Sequence, residues 1–567
     1  MNGQIFYSTK ATGTSTDTLA AFGLAEILKG VLRNGISHEW SGERVWLRDE
    51  GPYYVVKLDK PLPDDWATRV KFFNPVSPIA TAKQPWQGEM SARDYGAEWD
   101  DFKKYQETAK QLREAARKAG VEPDLPEPPP PDFWVLAFLG DYKMQALNGY
   151  NKAIKQWEDT REHFVTNLES VMQLAAEPYP DVETISQQWA KTVKRKEVER
   201  EITASQLFNP TQGQGQNHPK ANKLNTRQNI DSFWLLEFLK AVGLWKCAVP
   251  RTVRGGSDRK TYVISPKRIT LGIHEDVFPK FGAALWNETA VKMDIFAALQ
   301  YANVLLEYSE QKRVTEGRIP DRVMTGLHVT TYKLLSQNAY TTMNLAFIGI
   351  PEWIGEISNR EEAKAAQAVI AEHIKIIGAI EEGHSDGYRL LDLYRDFLSG
   401  RELNTFFDFY VAYTQYLTSA IDGKEYRVRT FTVENLRRLF MSAEPKLAEI
   451  IENEGFRHIA YAIRRSTITP QYLRGESMYE VRYGLGTDLK RKAAYRNEFI
   501  TALMEFLQAY NQENAQKFER TKQQMRENYR DGDLDEIVRL VDKFGSEVVC
   551  NLLIAYGYAS ESKDAEK

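Results

Sequence analysis

The stretch Asn209-Pro-Thr-Gln-Gly-Gln-Gly-Gln-Asn-His-Pro-Lys-Ala-Asn-Lys-Leu-Asn-Thr-Arg-Gln-Asn gathers amides, cations and two glycines, with no acid before Asp231. Glycines let a backbone come close to a ligand. Asn209, Gln212, Gln214, Gln216 and Asn217 carry amides that suit base edges; Lys220, Lys223 and Arg227 carry charges that suit phosphates. The same composition also fits a polar surface loop. Downstream, Arg251-Thr-Val-Arg-Gly-Gly-Ser-Asp-Arg-Lys is a basic turn that adds Arg251, Arg254 and Lys260 to the candidate contacts.

A second basic region runs from Arg457 to Arg496, where nine cations face three acids. Arg457, Arg464 and Arg465 lie seven or eight apart, a spacing that shares one helical face. Arg482 falls in the following connection, and Lys490, Arg491 and Lys492 open the next helix. Such a stripe can track a phosphate backbone with salt-dependent affinity. Its bland counterpart is a solvated helix face with pairs at i,i+4 spacing.

Catalytic motifs are sparse, and the catalytic and metal expectations are therefore none. The chain has no G-x-x-x-x-G-K-[ST] phosphate loop, no G-x-S-x-G elbow and no His-Asp dipeptide. His38 and His274 are each followed by Glu, but neither has a second histidine four residues on, as the H-E-x-x-H zinc motif requires. Arg33 to His38 and Arg322 to His328 match the arginine–histidine spacing of HEPN-type helical ribonucleases, which keeps that enzyme class as an alternative. Glu381-Glu-Gly-His-Ser-Asp has the makings of a metal loop and equally of a solvated one.

The elements that must position these residues are mixed. Thr18 to Arg33 reads as an amphipathic helix, with Leu19, Phe22, Leu24, Ile27, Leu28, Val31 and Leu32 on a broad apolar face. Arg44-Val-Trp-Leu-Arg and Tyr53-Tyr-Val-Val-Lys-Leu flank Asp49-Glu-Gly-Pro as a hairpin. A charged helix from Asp94 to Gly120 leads into a proline tract, together an insertion near 94–131. Residues 133 to about 174 read as helical, and 203 to 229 as a long loop. Phe233-Trp-Leu-Leu-Glu-Phe-Leu-Lys-Ala-Val-Gly starts a helix that Asp231 or Ser232 caps and Gly243 stops, and Lys260-Thr-Tyr-Val-Ile is a strand. From Ala284 onward the pattern is mainly helical, over 291–313, 361–380, 388–399, 402–419, 431–440, 445–465, 486–517 and 533–555. The fold expected is α+β: an N-terminal domain over 1–385 with a mostly helical middle, then a C-terminal helical bundle over 386–560.

The chain's 567 residues carry a net charge of -4, so any nucleic-acid surface is a local groove and not an overall coat. Two distant cysteines, Cys247 and Cys550, build neither a disulfide framework nor a four-cysteine zinc site. The polar start from Met1 to Lys10 lacks the order of a signal peptide, and no apolar run reaches about 18 residues. A cytoplasmic protein without a membrane partner is the expectation.

Three motif groups, taken together, resemble the large subunit of type I CRISPR Cascade complexes, in the type I-B or myxobacterial-type branch. They are Asn209-Pro-x-x-Gly-x-Gly-x-Asn-x-x-Lys-Ala-Asn; Phe233-Trp-Leu-Leu-Glu-Phe-Leu-Lys with Lys260-x-Tyr-Val-Ile-x-Pro; and Phe456-Arg-His-Ile-Ala-Tyr-Ala-Ile-Arg-Arg-Ser-Thr with Asp488-Leu-Lys-Arg-Lys-Ala. The resemblance covers roughly 200–270 and 390–557. It departs at Gln214, where lysine is expected between the two glycines.

The resemblance implies a non-enzymatic scaffold without cofactors, in which guide RNA reads sequence and the large subunit reads a short motif on the target duplex. It implies partners: guide RNA, target double-stranded DNA, the backbone, cap and small subunits, and a helicase–nuclease or a transposition effector. It implies R-loop formation, with the 209–227 loop meeting the motif and Arg457, Arg464, Arg465, Arg482, Lys490, Arg491 and Lys492 along the nucleic-acid backbone. It further implies that an internal start such as Met441 yields a separate small subunit from the C-terminal part. A protein-only adaptor with solvated basic patches is the alternative outside the nucleic-acid class.

Overall fold

The computed structural model describes residues 3–35, 45–194, 197–211, 231–311, 323–336, 339–355, 357–398, 400, 402–423, 428–472, 479–523 and 526–561. The fold is α+β, and the chain divides into two units, Met1–Met293 with Asp321–Ile350, and Asp294–Pro320 with Pro351–Lys567. The sequence reading placed the division at 385/386. The division instead falls at Ile350/Pro351, with Asp294–Pro320 also in the second unit, and the Arg360–Ala379 helix is built into that unit through His373 and its ring contacts there.

The first unit is organised around helix α1 (Ser15–Gly35). All seven apolar residues expected on its face are buried, and each such burial stabilises by about 1.5–3 kcal/mol. On one side α1 packs against an antiparallel sheet of β1 (Ile5–Thr9), β2 (Val45–Asp49), β3 (Tyr53–Leu58) and the Arg268–Thr270 strand, in the order β1, β3, β2, Arg268–Thr270. The strand period of two sends Phe6, Val45, Leu47, Tyr54, Val56, Leu58 and Ile269 inward onto the helix. On the other side α1 crosses the Trp234–Cys247 helix. That helix does not stop at Gly243. It runs four residues further, because Gly243 sits at the crossing and not at a cap.

A second antiparallel sheet has the order Ala339–Gly349, Met324–Ser336, Arg259–Pro266, Ala248–Thr252. Its long hairpin falls inside the region expected to be mainly helical. The β-branched and aromatic run Val329-Thr-Thr-Tyr pairs Val329 with Tyr262 and Thr330 with Thr261, and such residues fit a pleated surface better than a helix.

The charged insertion forms the expected helix, Tyr95–Ala119. Asp94 accepts from the N–H groups of Gly96 and Ala97 at its start, and Gly120 closes it at φ 68°. Phe102 anchors it by stacking on Phe133 at 4.5 Å. The 133–174 stretch breaks into Phe133–Gly140, Leu147–Asp159 and Phe164–Leu174.

The second unit is helical over its described residues. An aromatic core joins Trp353, His373, Phe397, Phe406 and Phe431, with Trp353 stacked on Phe397 at 5.6 Å. Further along, Glu454–Ser466 packs against Asp531–Phe544 and Ser546–Gly557, burying Phe456, Ile459 and Ile463. Two long expected helices are each broken, into Leu485–Lys492 and Arg496–Thr521, and into Asp531–Phe544 and Ser546–Gly557, the latter at Gly545 with φ 89°. Among the described residues, no helix is long and apolar enough to cross a membrane.

Candidate nucleic-acid interface

Most of the amide-rich loop, namely Gln212, Gln214, Gln216, Asn217, Lys220, Lys223 and Arg227, lies outside the described residues. Its described neighbours correct the sequence reading. Asn209 is 3% exposed and committed to the protein. Its Nδ2 donates to Glu237 Oε2 at 2.8 Å and to the Ser205 carbonyl at 3.2 Å, while its Oδ1 accepts from Lys240 Nζ at 2.7 Å. Both amide donors are engaged and the side chain is buried, so it does not reach a base edge.

Arg251 is likewise interior. Its Nε and Nη1 donate to the carbonyls of Leu285 and Pro250, each at 2.6 Å, and its Nη2 to that of Gly282. The guanidinium lies over the Trp134 ring at 5.4 Å. It ties the end of the Leu271–Ala284 helix to the sheet and cannot reach a phosphate. Lys260 is also buried, donating to the Ala290 carbonyl at 2.9 Å. Arg254, three residues beyond Arg251, is exposed, and its Nη2 pairs with Glu288 at 2.9 Å. Surface pairs contribute little, so Arg254 remains available to a ligand. Arg251→Met is expected to cost about 2–3 kcal/mol of stability, because three buried carbonyls lose their donor. Urea melts measure the loss, and an Arg251→Met chain that melts with the wild type would mean that the guanidinium is not the interior tie these bonds describe.

The C-terminal stripe divides in the same way. Arg457 is exposed, its Nε donating to the Ile451 carbonyl at 3.1 Å. Arg464, one heptad on, is buried: Nη1 donates to Glu561 at 2.5 Å and Nη2 to the Tyr556 carbonyl at 3.1 Å. The helix end bearing it is covered by the Ser546–Gly557 helix, so the stripe read from spacing does not continue past Arg457. Arg465 is half-buried over Tyr461. Arg482 is half-buried over Phe506 at 5.5 Å, with Glu513 at 3.9 Å.

On Leu485–Lys492, Asp488 serves both Arg491 at 2.5 Å and Lys492 at 3.5 Å, and Lys490 is partly exposed beside them. One carboxylate against three cations leaves this helix end positive. The placement also complements the negative end of the helix.

A further surface was missed by sequence reasoning. The outward side of the first sheet carries Tyr7, Tyr53 and Trp46 among Arg48, Lys57 and Arg268, around a trough of about 570 Å³. The alternation within β2 and β3 was the available signal. The same period that sends Val45, Leu47, Tyr54 and Val56 inward sends Trp46, Arg48, Tyr53 and Lys57 outward.

The enzyme alternative gains no assembled site. His38 and Arg322 lie outside the described residues. His328 packs edge-on against Phe347 at 5.1 Å, and burial pushes it down to about 4. Among the described residues no cluster of acids, histidines or cysteines is arranged to hold a metal, and His384 pairs with Glu381 at the surface. Burial pushes both thiols up, Cys550 to about 12, so neither is a ready nucleophile. No family model matches the chain, and no curated protein matches it.

Proposed function

We propose that the chain is the large subunit of a type I CRISPR RNA-guided surveillance complex, gripping nucleic acid while partners carry out the cutting. The observation that carries this reading is the cation run Lys490-Arg491-Lys492 at a helix end with a single carboxylate among it. Arg457, exposed in the same unit, and Arg254, exposed in the first, supply further charge. The motif resemblance supports the assembly; the exposed cations support the contact. In this reading the 212–227 segment meets the motif beside the target, and the guide RNA supplies sequence specificity.

Replacing Lys490, Arg491 and Lys492 together with alanine is expected to weaken binding of the assembled complex to target duplex by roughly tenfold or more at physiological salt. The loss is expected to be equal across sequences, and the salt slope to fall by about 2–3, near 0.9 per phosphate contact. Anisotropy titrations at three salt concentrations measure both. An unchanged slope would mean that these cations only solvate their own helix, and the reading would lose its main support.

A further inference from the structure

The outer face of the first sheet has a composition that neither a solvent-facing sheet nor a protein-covered one explains. A solvated face would carry threonines, lysines and glutamates in place of three large aromatic side chains. The apolar centre of a protein–protein interface is depleted of lysine and of acids, yet Lys57, Glu50 and Asp59 sit among these rings.

The register defines a grid. One row across the strands reads Ile5, Lys57, Trp46; the next reads Tyr7, Val55, Arg48, Arg268; the third places Thr9 opposite Tyr53. All of these side chains point away from α1, since their inward neighbours form the core. Tyr7 and Tyr53 meet edge to face at 5.4 Å. The guanidinium of Arg268 lies over Trp46 at 5.3 Å.

The second row carries the argument. Arg48 and Arg268 are direct partners in neighbouring strands. Like charges opposed across strands are destabilising, and an anion between them removes the cost. Glu50 pairs with Arg48 from beside the strand, and Asp59 accepts from the Trp46 indole N–H at 3.2 Å. Those two carboxylates sit against three cations, so the face stays net positive. Aromatic platforms beside cations are what successive bases and phosphates of an unpaired strand require, because every base offers a π face only when it is not in a duplex.

We infer that this face is a binding site for single-stranded nucleic acid, with a phosphate between Arg48 and Arg268 and bases stacked on Trp46 and on the Tyr7–Tyr53 pair. Duplex DNA is not its ligand. The inference rests on the sheet alone and not on the assembly proposed above, so the two fail separately.

The test uses the full chain and a fluorescent eight-nucleotide strand, as RNA and as DNA of one sequence, with the same sequence as a duplex. Trp46→Ala is expected to weaken single-strand binding roughly tenfold or more. Trp46→Phe, which keeps a ring, is expected to stay within about threefold of wild type. Arg48→Ala with Arg268→Ala is expected to lower the salt slope by about 1, near 0.7 per contact on a single strand. Duplex binding is expected to be unchanged in all three. Melting curves confirm folding, and the phenylalanine variant keeps the test decisive if the alanine variant is unstable. Binding of either polymer with this dependence on Trp46 supports the site, and the tighter of the two identifies the strand it takes. Absence of single-strand binding by the wild-type chain overturns the inference, as does equal binding by Trp46→Ala. So does loss of single-strand binding on replacing Lys490, Arg491 and Lys492, which would place the strand on the helical unit instead.

Discussion

Gly243→Ala is expected to lower the stability of the first unit by about 4 kcal/mol or more, beyond the usual range for a single added methyl. The cause is a reciprocal crossing. A Cβ at Gly243 would stand 1.9 Å from the Leu19 carbonyl oxygen, and one at Gly23 would stand 1.9 Å from the Leu239 carbonyl oxygen. Each helix presents a glycine to the other's backbone, so neither clash can be relieved by turning a side chain. Relief requires the two helices to separate. Separation would open the layer of Leu19, Phe22, Leu239 and Val242, all buried, and a well-packed interior resists that. Gly23→Ala is expected to have a similar effect. The double variant should cost less than the sum, because the first methyl already forces the separation that the second needs. Gly532→Ala is the control: nothing lies within 4 Å of its Cβ position, and in a helix the change is expected to stabilise by up to about 1 kcal/mol. Urea midpoints decide the matter. A Gly243→Ala chain that melts with the wild type would mean that the crossing is looser than these distances require.

That crossing also shows where sequence reading runs out. Glycine after an apolar run signals a helix end, and Gly243 carries that signal. It equally permits close approach of another backbone, and the choice is made by a helix more than two hundred residues earlier. The apolar stripe of α1 was legible because it needs only a local period. The Met324–Gly349 hairpin was not, since it lies between strongly periodic helical stretches and is held by pairing with the distant Arg259–Pro266 strand. Charge was the least legible property. Arg251 and Arg254 are three residues apart and alike in sequence, yet one bonds three interior carbonyls and the other faces solvent. Spacing put Arg457 and Arg464 on one face; burial of the helix end separated them. Cations are visible in a sequence, but their exposure is a tertiary property. The Trp46 face shows the converse: a pattern scored for what it buries says equally what it leaves outside.

Acidification is expected to destabilise the second unit through His373, and His373→Phe to remove that sensitivity. His373 is 1% exposed and held by rings, stacked on Trp353 at 5.0 Å and edge-on to Phe431 at 5.0 Å. Its Nδ1 lies 2.7 Å from the Tyr394 hydroxyl. Burial pushes the imidazole down to about 3 and the Tyr394 phenol well up, so the tyrosine donates and the neutral histidine accepts. An unfolded histidine titrates near 6.5. Between about 6.5 and 3 the unfolded chain therefore binds a proton that the folded chain refuses. The stability this group contributes is complete above 6.5 and falls with pH toward 3, by up to about 1.4 kcal/mol per unit. Going from pH 7.5 to pH 4.5 is expected to cost about 2–3 kcal/mol from this residue. Neighbouring Glu372, raised by its own burial, works in the opposite sense, but it is common to wild type and variant and cancels in their difference. At pH 7.5 His373→Phe is expected to be the less stable protein by about 1–3 kcal/mol, because the Tyr394 hydroxyl loses its acceptor in an apolar site. His373→Phe with Tyr394→Phe should recover part of that loss. At pH 4.5 the gap is expected to close or reverse. Urea midpoints at both values provide the difference directly. A gap that stays constant across this range would show that His373 takes up its proton without leaving the fold.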